Sequence, residues 1–249
     1  MNYRRYSMSS ISFGGPLTPT VKKLIIACFV VFLLQLLAGY RLTYFLGLQP
    51  ALVLDNFFFW QIVTYLFVHG GIGHLAFNML GLFMFGCEME RYWGSERFLR
   101  YFLITGIGAG LCVFLIPSTY YVTTVGASGA IYGILLAYGL TFPDRTIYLY
   151  LLFPIPAKYF VIFTGAITFL VTLSGSNTGI SNVAHLGGMV FGYLYLKQGL
   201  GRRRSRFSFR QYGKDWYYQW RLRRNRRKFE VYLNKKHRDQ NPNKNETIH

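Results

Sequence analysis

The hydrophobic residues of this chain are grouped in long continuous runs rather than spaced at every second residue or at every third to fourth residue. Between Leu24 and Tyr40 the run "IIACFVVFLLQLLAG" has one polar side chain. Comparable apolar segments recur near residues 74–87, 98–116, 126–142, 157–173 and 183–197. A helix crosses the hydrocarbon core of a bilayer with about 20 apolar residues, and with fewer where it begins in a water-filled cavity. The pattern therefore predicts six membrane-spanning helices, of which the fourth and the sixth are short.

The composition agrees with a membrane protein. Of the 249 residues, 52% are hydrophobic and 19% are aromatic, which is more apolar than an ordinary soluble domain of this length. We predict an all-α membrane protein in three parts. These are a cytoplasmic N-terminal segment over residues 1–21, a six-helix membrane domain over residues 22–198, and a basic cytoplasmic C-terminal tail over residues 199–249.

The basic residues predict the orientation in the membrane. Before the first span lie Arg4, Arg5, Lys22 and Lys23, and between spans two and three lie Arg91, Arg97 and Arg100. Between spans four and five lie Arg145 and Lys158, and more basic residues follow span six in the tail. The opposite connections hold Arg41 and, over residues 117–125 and 174–182, no charge. By the positive-inside rule both termini are cytoplasmic, and the beginning of the fourth span faces the outer side. The first run is followed by "GYRL" without a small-x-small cleavage site, so we expect it to be retained as a helix.

Neither the cysteines nor the tail histidines indicate a disulfide or a metal site. Cys28, Cys87 and Cys112 all lie in or beside apolar runs, which favours lipid-facing or packing residues over a disulfide framework or a metal site. His237 and His249 are isolated in the tail. We therefore expect neither a metal nor a cofactor.

A hydroxyl stands at the start of the fourth apolar run, in "GASGAIYG". Ser128 lies among small residues, where Gly126 with Ala130 and Gly129 with Gly133 form small-x-x-x-small pairs. Such pairs allow close helix packing, and taken alone this stretch favours packing over chemistry.

Three more polar side chains fall inside predicted spans. His185 shares a helix face with Gly188 and Gly192, so it is either a satisfied core histidine or a base held close to a neighbouring helix. His74 and Asn78 are four residues apart on one face, which an interhelical hydrogen bond would explain. Taken together with a serine, they are what acyl transfer requires, namely a nucleophile, a base and donors for an oxyanion.

These motifs resemble those of the rhomboid intramembrane serine proteases. "GASGAIYG" looks like the family's nucleophile motif, "HGGIGHLAFNMLG" resembles its His-x-x-x-Asn second helix, and "NVAHLGG" resembles the sixth helix that carries its histidine. "EMERYWGSERFLRYF" is similar to its Glu-x-x-x-Gly junction, with Glu90 and Gly94 in the matching places. The likeness runs from about Trp60 to Tyr195. Three motifs in the family's order form a specific signal, whereas a single GxSG would not.

The resemblance implies a role for each matching residue. Ser128 would be the nucleophile and His185 the general base, as a dyad without an acidic third member. The side chains of His74 and Asn78, with the backbone N–H of Ser128, would bind the oxyanion.

The resemblance and the local sequence also imply supporting residues. Tyr132 matches the tyrosine that stacks on the family's histidine. With no carboxylate to hold the imidazole, this ring and a backbone set by Gly126 and Gly129 would orient it. His69 lies five residues before His74 in the loop leading into the second helix, and we expect it to have a supporting hydrogen-bonding role rather than to bind a metal.

The chain departs from the family pattern after the first span. Where the family often has a Trp-Arg pair, this sequence has Trp60 followed by Gln61, which puts the anchoring of that loop in doubt. Phe77 matches a family position implicated in lateral substrate entry, although a plain core aromatic explains it equally well.

The resemblance implies an intramembrane serine endopeptidase that cleaves transmembrane segments of membrane proteins near the outer face, through an acyl-enzyme. The alternative is a catalytically silent rhomboid-like protein that binds transmembrane segments. Silent relatives typically lack the serine or the histidine, and this chain keeps both. A small-solute channel or transporter is disfavoured because the spans lack acidic residues and an inverted repeat.

The tail and the cellular location are separate predictions. Residues 199–249 contain 16 Lys and Arg against 4 Asp and Glu. A solvated extension that reinforces the topology and an interfacial helix on anionic lipid headgroups are both open, whereas nothing there resembles a nucleic-acid reader. The architecture, without a recognisable transit peptide, favours the bacterial cytoplasmic membrane.

Overall fold

The architecture comes from a computed structural model, which describes residues 15–149, 153–173 and 182–199. Apart from Gly199, the predicted basic tail lies outside the described residues, as does the N-terminal segment up to residue 14. The helices are α1 Pro19–Ala38, α2 Tyr40–Leu46, α3 Pro50–Asp55, α4 Gln61–Thr64, α5 Ile72–Gly81, α6 Cys87–Trp93, α7 Ser95–Val113, α8 Ser128–Thr141, α9 Ala157–Leu173 and α10 Asn182–Gly199. A π-helical stretch, Leu82–Gly86, joins α5 to α6, and short 3₁₀ turns cover Tyr65–Phe67 and Pro117–Thr119.

Helices occupy all six of the apolar runs, and they differ in length. Two stretches of the described chain are long and apolar enough to cross a bilayer: Pro19–Ala38 with mean hydropathy 2.3, and Ile72–Trp93 with mean hydropathy 1.3. Ser128–Thr141 and Ala157–Thr172 are apolar but shorter. At 1.5 Å per residue, α8 is only about 21 Å long. The number of spans therefore stays a prediction.

The large apolar side chains on the outside of the bundle suit a hydrocarbon solvent. On α1, Leu36 is 67% and Leu37 85% exposed, and on α9 Ile162, Phe163 and Leu170 are each more than 60% exposed. A soluble monomer rarely leaves large apolar patches open to water, whereas side chains this exposed on two helices suit a lipid environment. Both helices therefore expose large apolar side chains that a helix of a soluble protein would bury.

The core of the bundle lies where α7 packs along α8. Phe98, Tyr101 and Phe102 of α7 are fully buried, as is Ile134 of α8. The Tyr101 hydroxyl donates a hydrogen bond of 2.7 Å to the carbonyl oxygen of Gly133 on α8. Buried hydroxyls need such partners, and here the partner is a backbone group of the neighbouring helix. The bond therefore helps to fix the position of α8, the helix that begins with Ser128.

Glu90 of α6 holds the beginning of α1. Its buried carboxylate accepts hydrogen bonds from the backbone N–H groups of Thr20 (2.9 Å) and Val21 (3.0 Å) and from the hydroxyl of Thr18 (2.5 Å). The Ser95 hydroxyl at the start of α7 donates a further bond of 2.6 Å to the same carboxylate. First-turn N–H groups lack partners within their helix, and a negative charge there is stabilised by the helix dipole. One side chain therefore ties three helices together.

We expect Glu90→Ala to lower the free energy of unfolding by about 2–4 kcal/mol, because it removes the acceptor from two buried first-turn N–H groups. Denaturant- or heat-induced unfolding in detergent measures this loss. The matched control is Glu96→Ala, since Glu96 pairs with Arg100 at an exposed surface where ion pairs contribute little. Equal stability of the two variants would contradict the prediction.

The prediction of an all-α fold is wrong in one detail. Between α8 and α9, strands β1 Thr146–Leu149 and β2 Phe153–Pro156 pair antiparallel, with Thr146 opposite Pro156 and Leu149 opposite Phe153. β-Branched and aromatic residues favour strands, and the prolines in β2 are tolerated because a two-stranded sheet has only edge strands. The sequence pattern predicted no strands here, and each strand is only four residues long.

Candidate active site

Ser128 is the first residue of α8, and the backbone at Gly126 leads into it. Gly126 has φ +112°, a conformation that side chains disfavour, and its N–H donates a bond of 2.9 Å to the carbonyl oxygen of Tyr65. Because Ser128 lies in the first helical turn, its backbone N–H has no partner within the helix. A hydroxyl and a backbone donor therefore stand together at the positive end of the helix dipole.

His185 of α10 lies against this serine. The distance from its Nε2 to the Ser128 Oγ is 2.7 Å, across 57 positions of sequence, and the histidine is 6% exposed. When the hydroxyl donates, Nε2 is the acceptor and the ring proton is on Nδ1. This is the arrangement in which an imidazole can take the proton of an attacking hydroxyl.

Tyr132 lies with its ring parallel to the imidazole of His185. Its ring stacks on that of His185 with centroids 4.2 Å apart and planes 5° from parallel. Among the residues that the structure describes, nothing accepts a hydrogen bond from the buried Nδ1 of His185. Thr168 of α9 lies 3.3 Å from the Tyr132 hydroxyl. Since the Thr168 hydroxyl also lies 2.8 Å from the carbonyl oxygen of Thr164, it can donate there and accept from the tyrosine.

The contact between serine and histidine depends on an unusually close approach of α8 and α10. A Cβ added to Gly188 would overlap the backbone carbonyl oxygen of Gly129, and one added to Gly129 would lie 3.2 Å from the carbonyl oxygen of Ala184. The two backbones therefore touch directly at these positions. Because Ala184 and Gly188 flank His185, this packing determines how near the imidazole comes to the hydroxyl.

His74 presents one ring nitrogen to the serine. Its Nδ1 accepts a hydrogen bond of 3.3 Å from the N–H of Gly70, so in the neutral ring the proton is on Nε2. A Cβ built on Gly126 would lie 2.7 Å from that Nε2 and 3.8 Å from the Ser128 Oγ. An N–H donor from α5 thus points into the same space as the nucleophile.

Asn78 lies one turn further along α5 and is 4% exposed. Its Nδ2 donates a bond of 2.8 Å to the carbonyl oxygen of His74, which leaves a second N–H for another acceptor. Its Oδ1 has no partner among the described residues. The amide is therefore only partly satisfied.

His69 packs edge-on against His74, with ring centroids 5.3 Å apart. It lies in the loop before α5, and burial, together with the neighbouring His74, lowers its pKa to about 4. At neutral pH it is uncharged and brings no positive charge to the neighbouring ring. Its Nδ1 lies 3.2 Å from the carbonyl oxygen of Phe67, so the side chain bonds to its own loop.

Phe77 lies at the outside of the bundle. Its side chain is 76% exposed, so it is not a core aromatic. Phe77 lies between His74 and Asn78 in the sequence of α5, but its side chain faces outwards. A part in lateral substrate entry stays a prediction.

Gln61, which stands where the resemblance would place an arginine, is fully buried. Its side chain accepts a bond of 3.1 Å from the N–H of Gln49 and donates one of 2.9 Å to the carbonyl oxygen of Tyr44. Trp60 beside it donates a bond of 2.8 Å to the carbonyl oxygen of Phe45. A neutral amide thus holds the segment between α1 and α5. Sequence reasoning noted this residue only as a departure, and it assigned nothing to Thr168 or to Gln35 of α1.

No group of three or more His, Cys, Asp or Glu side chains within the described ranges is arranged to hold a metal ion. The cysteines lie apart: Cys28 and Cys87 are buried, and Cys112 is partly exposed. The site itself brings together a hydroxyl, imidazoles and amide donors.

The family model of the rhomboid domain matches residues 56–201, a range that includes Ser128, His185, His74, Asn78 and Tyr132.

Individual relatives carry the same name. The chain is 34% identical to RHOMBOID-like protein 12, mitochondrial, of Arabidopsis thaliana, over 54% of this chain and 46% of the relative. It is 34% identical to Rhomboid protease GluP of Bacillus subtilis, over 54% of this chain and 25% of the relative. It is 34% identical to Rhomboid protease AarA of Providencia stuartii, over 54% of each chain. The chain thus spans from about a quarter to about half of the length of these relatives.

Proposed function

Since the chain belongs to the rhomboid family, and is therefore a membrane protein, we propose that it is an intramembrane serine endopeptidase with a dyad of Ser128 and His185. The observation that carries the proposal is the 2.7 Å contact between the Ser128 Oγ and the His185 Nε2. Relatives named rhomboid proteases support the same class of activity.

The proposed reaction proceeds in two halves. His185 takes the hydroxyl proton as the Ser128 Oγ attacks a peptide carbonyl, and it returns that proton to the leaving amine. Water, activated by the same imidazole, then hydrolyses the acyl-enzyme and releases the serine. Because no acidic residue assists the histidine in this proposal, its orientation depends on the stacked ring of Tyr132 and on the packing around Gly129 and Gly188.

The charge that develops on the carbonyl oxygen needs preorganised donors. The proposed donors are the backbone N–H of Ser128, the Nε2–H of His74 and the free amide N–H of Asn78. Donors of this kind contribute about 3 kcal/mol each in related chemistry. The 3.3 Å bond from Gly70 to the His74 Nδ1 supports the assignment, because it leaves the other ring nitrogen protonated.

The proposed substrates are single-span or multi-span membrane proteins, cut within a transmembrane segment near the outer face. A carbonyl bonded within a helix is shielded from attack, so segments with glycine, serine or other helix-weakening residues are expected targets. The proposal includes six spans with both termini cytoplasmic, in a bacterial cytoplasmic membrane. It also includes contact of the basic tail with anionic headgroups, for which its 16 basic against 4 acidic residues are suitable.

The second candidate is a silent rhomboid-like protein that binds transmembrane segments without cutting them. Reconstitution in liposomes with a panel of single-span substrates separates the two functions, with cleavage read by gel and binding by co-isolation. We expect cleavage that depends on Ser128. Binding to the same substrates without any Ser128-dependent cleavage would instead establish the silent function.

A further inference from the structure

We propose that Gln35 of α1 is a positioning residue that sets the tautomer and the direction of the His74 ring in the oxyanion site. The inference rests on the proposed function only for its effect on rate. Gln35 lies outside the residues 56–201 matched by the family model, so the comparison assigns it no role.

The carboxamide of Gln35 bonds to both backbone groups of His69. Its Nε2 donates to the His69 carbonyl oxygen at 3.1 Å, and its Oε1 accepts from the His69 N–H at 3.1 Å. The second N–H of Nε2 reaches the hydroxyl of Thr43 at 3.0 Å. Every hydrogen-bonding position on the nitrogen is therefore used, and the amide cannot turn without losing bonds to a residue 34 positions away.

The peptide group that Gln35 holds, between residues 69 and 70, also donates a hydrogen bond to His74. The carbonyl of His69 and the N–H of Gly70 belong to the same planar unit, so fixing the oxygen also fixes the direction of the N–H. That N–H donates to the His74 Nδ1 at 3.3 Å. The contacts therefore run without a gap from α1 to the imidazole: Gln35, the peptide between residues 69 and 70, and the His74 ring.

The consequence for His74 is chemical as well as geometric. With Nδ1 occupied as an acceptor, the ring proton is on Nε2, which lies beside Gly126 near the Ser128 hydroxyl. If the peptide rotated, the other tautomer would become available and would turn a lone pair towards the developing oxyanion. A donor would then be replaced by a repulsive contact.

The polarity of Gln35 fits this role. It is the single polar side chain in a run of 15 residues, over positions 25–39, of a helix long and apolar enough to cross a bilayer. A polar amide in such surroundings is costly unless it is bonded, and here its bonds end at the active-site loop.

The test replaces Gln35 by methionine, which keeps the length of the side chain and removes the bonds. We expect kcat for a transmembrane substrate to fall about 10- to 100-fold with KM within twofold, since an oxyanion donor acts mainly in the transition state. Two control variants are expected to stay within twofold: Thr43→Val removes only the third bond, and Leu36→Ala alters a 67% exposed neighbour. All rates are measured well below the unfolding temperature of each variant.

A double-mutant cycle with His74→Ala distinguishes positioning from general destabilisation. If Gln35 acts through His74, Gln35→Met changes kcat less than twofold once His74 is alanine. An undiminished fall in that background, or unchanged kcat in the native background, would overturn the inference.

¹⁵N NMR of histidine-labelled protein gives a readout that does not need activity, with the His74 signals identified from the His74→Ala spectrum. We expect an Nε2-protonated ring in the native chain and a mixture of tautomers in Gln35→Met. An unchanged tautomer would overturn the inference even in an active enzyme. If the native chain neither cleaves nor binds a serine-directed probe, the proposed function fails, and the tautomer still decides the role of Gln35.

Discussion

Replacing Ser128 by alanine is expected to lower substrate cleavage by about 10⁴-fold or more, and His185→Ala to have an effect of similar size. Among the described residues, the serine supplies the only hydroxyl bonded to the His185 imidazole, at 2.7 Å. Labelling by a fluorophosphonate, which reacts with activated serines, should disappear with either change. Cleavage rates and probe labelling in detergent measure both effects.

The two changes should not add. Because nucleophile and base act in one step, the double variant Ser128→Ala/His185→Ala is expected to be no slower than either single variant. Ser118→Ala is the matched control, since Ser118 lies exposed in the 3₁₀ turn Pro117–Thr119, and it should keep full activity. Probe labelling that survives Ser128→Ala would show that another residue is the nucleophile.

Gly188→Ala is expected to reduce cleavage by about 100-fold or more, although it alters no reacting group. The added methyl group would overlap the carbonyl oxygen of Gly129, so α10 must move away from α8 and carry His185 with it. A displacement of about 1 Å between reacting groups costs on the order of 100-fold in rate, and overpacking costs about 1–3 kcal/mol of stability. Cleavage rate and unfolding in detergent are measured together.

Gly165→Ala on α9 is the matched control for this change. Its Cβ would lie 3.5 Å from the flexible end of Met189, an ordinary contact, and alanine favours the helix more than glycine does. We expect native activity and unchanged or higher stability. Full activity of Gly188→Ala would mean that the close approach of α8 and α10 is not what holds the dyad.

Much of the helical architecture could be predicted from the sequence because long apolar runs specify helices locally. Helices are present at all six apolar runs, and Ser128 with Tyr132 lies on one face of α8, as their spacing of four predicted. The family resemblance is confirmed by the match over residues 56–201. The roles of the site residues stay predictions, to be decided by the variants described above.

Other features could not be predicted, either because their local signal is short or because they depend on contacts between distant parts of the chain. The strands β1 and β2 were missed because four residues carry too weak a periodic signal. Gln61 was noted for the arginine that it replaces, whereas its bonds to Gln49 and Tyr44 depend on how the segment folds back on itself. Gln35 looked like a lone polar residue in an apolar helix.

The sequence by itself determined that the six apolar runs become helices and which faces of those helices carry small or polar residues, because these properties depend on neighbours within a few turns. Only the tertiary structure decided that Ser128 meets His185, that Gly129 touches Gly188, and that Gln35 bonds to the loop before His74. A hydrogen bond or a backbone contact requires two groups to approach within about 3 Å. No pattern along one helix specifies which distant residue comes that near, since that depends on how all the helices pack.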